Sequence, residues 1–480
     1  MSTFEAVNVV WGSMSSCTDR IEAARQELVA ALIASTADLT APRPADPTLV
    51  GLRDDMLARL ADVRGRGGFY ASIGTGRGRG PLVELVDGSV KWDKITGIGV
   101  HGFGHGDPEL TAIAVEAASQ DTVMQGNLQC NSEPIRFAET LRAAARRGGA
   151  DMAHCYPACS GAMVNENALK VCMQARNGAP RVLAFCNNFI GRTVTLSHIG
   201  DSPGHRQGVP KSIEVDYLPY WDAADPSGSS DDAIDALNTA LAAHPGEHAC
   251  LVMELVQGEG GFTTAPREFF EPLLVAARDA SVPIWFDEIQ TFGRTDHMFR
   301  FEGLDLGSFA DIITVGKMTQ GCAAMWRAEF NPKPGLLSGT FLGSTAAMAC
   351  GTKIIERLAA GDAYGPNGRH AQLFQQFETR CAKLAESAPH CFPVVEGRRG
   401  PLAAWGGTGG MMRLTPFGGQ KDRIVSLVHR LFDGGVIAFF CGHDPYHLRF
   451  LPPIGVLEPS QLDAVMDIVA EQVIAEGQAG

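Results

Sequence analysis

Two residues of opposite chemistry each close an apolar, strand-like run of this chain. Lys317 ends Ile-Ile-Thr-Val-Gly-Lys (312–317), and Asp287 lies in Val-Pro-Ile-Trp-Phe-Asp-Glu-Ile-Gln (282–290). An aldehyde cofactor such as pyridoxal 5'-phosphate (PLP) needs an amine to hold it as a Schiff base. It also needs a carboxylate to keep its pyridine nitrogen protonated, so that the ring can accept the electrons of a substrate carbanion. Either residue alone carries little weight: the aspartate could cap a helix after a strand, and the lysine could be a solvated surface cation. A lysine closing a buried apolar run is costly without a partner, which favours chemistry over solvation.

A third segment adds a place for an anion. Cys159-Ser160-Gly161-Ala162 leads into a stretch in which Val164, Ala168, Cys172 and Ala175 recur at helical spacing. A serine and glycine at a helix start leave backbone N–H groups free to meet a phosphate, although an ordinary serine N-cap looks the same in sequence. The glycine-rich 74–80 resembles a phosphate loop, yet strand-like 82–86 follows it where a nucleotide fingerprint requires a helix; it reads as a surface or active-site loop. His101 and His105 have no third ligand in view and read as loop or packing histidines.

The elements that must position these residues form an α/β pattern. Residues 18–34 and 49–63 read as helices, separated by a proline-rich break at 41–47. From about 100 to 350, helical segments alternate with nearly continuous apolar runs at 181–186, 249–256, 282–286 and 312–315. Such runs imply a mostly parallel sheet covered by helices on both faces, in which ligands bind beyond the carboxyl ends of the strands. Glu254, Asp287 and Lys317 all fall at or near such ends. After 350 come a helix, a loop-rich segment through 400–410, strand-like 435–440 and 446–451, and a final helix near 460–476. Ser460 is placed to cap that helix, and Leu462, Met466, Val469 and Val473 form its apolar stripe. The predicted division is an N-terminal segment (1–95) that packs with the small domain, a large domain (96–350) and a smaller C-terminal α/β domain (351–480).

Composition bounds the alternatives. The chain of 480 residues is 45% hydrophobic and 20% charged, as expected of a globular enzyme with a sizeable core. A formal charge of −14 argues against nucleic acid or an anionic membrane as partner, so an anionic substrate must be met by local arginines. Twelve cysteines are scattered without a Cys-x-x-Cys pair, so no metal site is predicted, and they read as reduced, buried thiols. With no signal-peptide pattern and no apolar run long enough to span a bilayer, a cytoplasmic protein is expected.

The motifs together resemble the class III aminotransferases, the ω-aminotransferase branch of the fold type I PLP enzymes, and most closely those acting on ornithine, acetylornithine and 4-aminobutyrate. The resemblance covers about 70–475. Its carriers are Ser160-Gly-Ala, Asn188-Phe-Ile-Gly-Arg-Thr, Glu254-Leu-Val-Gln-Gly-Glu-Gly-Gly, Asp287-Glu-Ile-Gln-Thr-Phe-Gly-Arg-Thr, Gly316-Lys317, Gly339-Thr-Phe and Leu448-Arg-Phe-Leu-Pro-Pro. It implies that Lys317 holds the cofactor and moves the substrate proton, that Asp287 partners the pyridine nitrogen, and that Gln290 contacts the phenolic oxygen. It further implies that Phe189 stacks on the ring, that Ser160, Gly161 and Ala162 cradle the phosphate, and that Thr340 reaches the phosphate of a neighbouring subunit, hence a homodimer or higher oligomer with shared sites. Arg449 then takes the α-carboxylate of glutamate or 2-oxoglutarate, Arg192 the distal carboxylate, and Glu259 pairs with Arg449 when the donor offers no carboxylate there. Ile98 occupies a position where ornithine enzymes carry tyrosine, which tilts the expected donor away from free ornithine.

The implied activity is transfer of an amino group from a primary amine of an amino acid to 2-oxoglutarate by a ping-pong mechanism. Its rivals are an aminomutase, racemase or decarboxylase on the same scaffold, since fold does not fix reaction outcome, and a non-catalytic cofactor-binding subunit, against which Lys317, Asp287 and Gln290 together argue. Met318 to Trp326, Ile190 and Ser344-Thr-Ala-Ala depart from the family pattern around the substrate mouth and subunit interface.

Overall fold

A computed structural model describes residues 18–120 and 125–479. Its centre is a seven-stranded sheet in the order His154–Ala158, Cys322–Trp326, Ile312–Val315, Ile284–Asp287, His248–Met253, Arg181–Phe185, Glu214–Leu218. The last five of these run parallel, while Cys322–Trp326 runs antiparallel to both of its neighbours. The apolar runs of the sequence are continuous because both faces are covered. Leu183, Phe185, Leu251, Met253, Ile284, Phe286 and Ile313 face one core, and Val182, Ala184, Cys250, Val252, Trp285 and Ile312 face the other. Alternate residues of each strand thus reach opposite faces, and neither face tolerates a charge. Trp285 satisfies its indole N–H by donating to Thr314 Oγ1 at 3.0 Å on the neighbouring strand. This arrangement is the fold type I α/β architecture that the sequence predicts.

Two smaller sheets flank it. Gly74–Arg79, Leu82–Leu85 and Val90–Asp93 form an antiparallel meander, and Val436–Ile437 from the C-terminal part of the chain adds to it in parallel. A second antiparallel sheet has the order Trp405–Thr408, Met411–Leu414, His447–Phe450, Phe439–Cys441, so that Arg449 stands beside Arg413 on one neighbouring strand and Phe439 on the other. Helices Arg369–Ser387 and Lys421–Asp433 each pack against this sheet and against the last helix, Pro459–Ala479. The stripe Leu462, Met466, Val469, Val473 is fully buried there.

Four local expectations change. The glycine-rich 74–80 is not a loop but contains the edge strand Gly74–Arg79. Its glycines serve close approach: a Cβ on Gly78 would lie 2.3 Å from His105 Cβ. The loop-rich 400–410 contains strands Pro401–Leu402 and Trp405–Thr408. Ser460 is inside the last helix, not at its cap. Pro459 occupies the first turn, as its fixed φ suits, and Gln461 Oε1 reaches back to accept from Glu458 N at 2.9 Å. The cysteines from Cys130 onward are unpaired thiols, but Cys130 and Cys159 are exposed rather than buried; Cys17 lies outside the described residues.

Candidate active site

The carboxyl ends of the parallel strands meet around a cavity of about 320 Å³. Gly161, Ala162, Phe189, Arg192, Asp287, Gln290 and Lys317 from the predicted set line it, together with Asn165, Ile190 and Glu254. Asp287 is the last residue of its strand. Its Oδ1 accepts from Ile289 N at 2.9 Å and its Oδ2 from Asn165 Nδ2 at 2.8 Å. Asn165 also donates to the Ile190 carbonyl at 2.7 Å, tying the helix Gly161–Ala175 to the Phe189 loop. Burial pushes the Asp287 carboxyl up to about 6, against the pull of these donors and of Lys317. A buried carboxylate with two neutral donors and no cation bonded to it is suited to receive a cationic ring N–H.

Lys317 follows the strand Ile312–Val315 and opens a short 3-10 turn, Lys317–Thr319, with φ at 51°. A left-handed lysine is an uncommon, strained conformation that neighbouring structure must hold in place. Burial lowers its ammonium to about 8, opposed by Glu259 and Glu254. Near neutral pH such an amine gives up its proton far more readily than a surface lysine does. Gln290 is 7% exposed and its Oε1 has no hydrogen-bond partner among the described residues. Gly258 packs so closely on it that a Cβ there would fall 2.4 Å from Oε1. Gly258→Ala is therefore expected to displace the Gln290 amide and weaken PLP binding by about 1 kcal/mol, the order of one lost hydrogen bond, as measured by fluorescence titration of the apoenzyme.

Ser160 caps the helix Gly161–Ala175, its Oγ accepting from Met163 N at 3.2 Å. The N–H groups of Gly161 and Ala162 have no acceptor among the described residues and stand at the positive end of a helix of 15 residues. Phe189 is half-buried on the cavity wall, with the Arg192 guanidinium 5.7 Å from its ring centroid.

Glu254 was visible only as a strand-end carboxylate, and sequence reasoning gave it no role. It is 6% exposed and bridges two loops: Oε1 accepts from Phe189 N at 2.8 Å and Oε2 from Gly258 N at 3.0 Å. Burial, then the nearby Asp287, pushes its carboxyl up to about 8. Asn165 was missed as well, although a polar residue next to the apolar stripe of a buried helix is a readable signal.

Arg449 is fully buried, and Nη1 donates to Glu259 Oε1 at 2.6 Å. Its Nε and Nη2 have no partner among the described residues, and Phe262 and Phe439 stand 5.9 and 5.6 Å from its carbon. The pair lies close enough to Lys317 for both charges to bear on its amine. Five predicted residues are not among those lining the cavity: Ser160, Glu259 and Arg449, described above, and Thr340 and Ile98. Thr340 is exposed on a loop whose neighbours Gly339 and Gly343 bond to Asn127 and Gln125. Ile98, 37% exposed, sits on a left-handed turn, Thr96–Gly99, held by Thr96 Oγ1 donating to the Leu451 carbonyl at 2.7 Å. His105 is engaged by Asp93 at 2.7 Å, and no cluster of metal-ligating side chains occurs among the described residues.

A sheet of this topology, with an amine, a buried carboxylate and an open helix start at one rim, defines a fold type I PLP enzyme: the Lys317 amine, the Asp287 carboxylate, the Gln290 amide N–H and the helix-start N–H groups fit that cofactor's aldehyde, ring nitrogen, phenolic oxygen and phosphate. The chain belongs to the class III aminotransferase family, which it matches over residues 65–473. An acetylornithine aminotransferase from Streptomyces coelicolor is 28% identical over 294 residues, 59% of this chain and 67% of its own. A diaminobutyrate–2-oxoglutarate transaminase from Oceanobacillus iheyensis is 24% identical over 420 residues, 83% of this chain and 93% of its own. Among solved structures, a lysine aminotransferase from M. tuberculosis in the internal aldimine form shares the fold with a TM-score of 0.73 at 23% identity, covering 88% of this chain and 99% of that one. The protein is an aminotransferase and its cofactor is PLP.

Proposed function

We propose that this enzyme moves an amino group from the terminal amine of an amino acid to 2-oxoglutarate, in two half-reactions at one site. The carrying observation is the buried Arg449–Glu259 pair, in which the guanidinium keeps Nε and Nη2 unpaired. A guanidinium with spare donors in an apolar setting binds a planar carboxylate bidentately, and Glu259 occupies it when a substrate presents none. A pocket with that exchangeable partner takes an ω-amine and an α-amino dicarboxylate in turn. The diaminobutyrate–2-oxoglutarate transaminase among the relatives supports the same acceptor.

Bound PLP supplies an electron sink for the bond that breaks at the substrate carbon. This chain's residues do the rest. Asp287 would hold the proton of the ring nitrogen, Phe189 would pack on the ring, and the Gly161 and Ala162 N–H groups would hold the phosphate. Lys317 would hold the aldehyde and move the proton at the substrate carbon, for which an amine near 8 is well matched. Arg192 takes the distal carboxylate, and Thr340 serves the site of a second subunit in a dimer.

The test is a half-reaction panel of 4-aminobutyrate, ornithine, N-acetylornithine, lysine, 2,4-diaminobutyrate and β-alanine, followed by recharging with 2-oxoglutarate and assay of glutamate. Glutamate formed from one of these donors supports the reading. Carbon dioxide release, or an isomerised or racemised product without glutamate, would overturn this reading, and a donor consumed with no response to 2-oxoglutarate would overturn its acceptor. Glu259→Ala is expected to shift preference from ω-amine donors towards L-glutamate by about ten-fold, since Arg449 then has no internal partner and only an α-carboxylate relieves its buried charge. The ratio of the two half-reaction rates reads this out.

A further inference from the structure

One side chain outside the cavity lining engages a mouth arginine. His205, on the turn Pro203–His205, places Nε2 3.0 Å from Arg192 Nη2. Its ring meets the Phe189 ring edge-on, with centroids 5.7 Å apart. A guanidinium has only donors, so this contact requires the imidazole to be neutral with its proton on Nδ1. Arg192 itself is exposed and has no carboxylate within ion-pair distance among the described residues.

We infer that His205 is a positioning residue that fixes Arg192 as a preformed, uncompensated cation for the distal carboxylate of a dicarboxylic substrate. This rests on the function proposed above. The physical point is the choice of partner. An aspartate or glutamate at this place would hold Arg192 equally well but cancel its charge and compete with the substrate. A neutral imidazole holds the fork through one hydrogen bond and leaves its full charge and remaining N–H groups for the anion. The hydrogen bond also spares the long side chain part of the ordering cost of binding. Phe189 backs the imidazole, so cofactor wall and anion clamp are set by one contact.

The titratable and charged groups that face His205 are Arg192, Glu259 and His443. Burial, then Arg192, holds the imidazole below its ordinary value, against the pull of Glu259. Protonation would turn Nε2 into a donor and break its bond to Arg192, so the positioning contact exists only with the ring neutral. Affinity for a dicarboxylate therefore weakens as pH falls through the titration of that ring.

The experiment uses holoenzyme in single-turnover half-reactions with L-glutamate and L-alanine, which differ in the distal carboxylate, from pH 5 to 9. His205→Phe is expected to raise half-saturation for L-glutamate about ten-fold, as loss of a hydrogen bond to a charged group does, and to leave L-alanine unchanged. It also flattens the pH dependence of the glutamate constant. His205→Gln, whose carbonyl oxygen can accept from Arg192, recovers most of the affinity but not the pH dependence. Equal PLP content in all variants excludes a folding defect; a His205→Phe protein that fails to load PLP shifts the decision to His205→Gln, where an unchanged pH profile overturns the inference. Wild-type-like glutamate binding in His205→Phe also overturns it. If L-glutamate fails to react even with the wild type, the proposed acceptor is wrong and the role of His205 falls with it.

Discussion

Lys317→Ala is expected to abolish amino-group transfer, lowering the turnover rate by about 10³-fold or more, because general acid–base catalysis alone contributes about 10²–10⁴ and the same amine also holds the cofactor. Among the residues lining the cavity, Lys317 is the one whose side chain is an aliphatic amine, so no neighbour can replace it. Burial has lowered it to about 8, which leaves a usable fraction of free amine at neutral pH. A surface lysine near its ordinary value would hold almost none. The variant should still bind PLP through Asp287 and the helix start, but without the visible absorbance of a lysine-bound cofactor. Small amines added from solution should restore part of the activity. A variant that keeps the wild-type spectrum and turns over normally would remove Lys317 from the mechanism.

How far the site was legible in the sequence follows from where each residue sits. Asp287 and Lys317 end or follow continuous apolar strands, and a polar residue at such an end must lie at the sheet rim, where parallel sheets bind ligands. Glu254 shares that signal, but its two backbone bonds join loops that only folding brings together. The Arg449–Glu259 pair joins a strand of the small antiparallel sheet to the turn after Val256–Gln257, 190 positions away in sequence, and was readable only through family resemblance. His205 lies in a loop without periodicity, so nothing in its neighbourhood pointed to Arg192. The 74–80 segment, read as a loop, misled for a physical reason: glycine is usual in loops and rare in strands, yet it also lets an edge strand approach another chain segment closely, and composition does not distinguish the two. Ser160 and Ser460 show the same limit at helix starts. Both precede apolar stripes, but only the first accepts from the helix, because Gln461 and Pro459 already shape the start of the last one.

Asp287→Asn should separate function from stability. In the absence of PLP, folding raises this carboxyl from its ordinary range to about 6, chiefly through burial. The sign follows from linkage. A carboxyl whose pKa is raised on folding contributes stability below about pH 4, where both states are protonated, and loses that contribution as pH climbs through about 6. Above that, the apoenzyme bears an ionised buried carboxylate at a cost of about 3 kcal/mol, since holding a proton ten-fold more tightly corresponds to about 1.4 kcal/mol. Asparagine carries no charge to bury and can still accept from Ile289 N or Asn165. Apo Asp287→Asn is therefore expected to melt above the wild-type apoenzyme at pH 7–8, with the gap shrinking towards pH 4. Bound PLP is expected to reverse the order, because its protonated ring nitrogen would partner the wild-type carboxylate whereas an amide would not keep that proton in place, so turnover in the variant should drop by about 10²-fold or more. Melting curves of apo- and holoenzyme across this pH range, alongside glutamate half-reaction rates, measure both effects. A variant less stable than the wild type in the apo state at pH 8 would mean that hydrogen bonds to Asp287, rather than its desolvation, dominate the empty site.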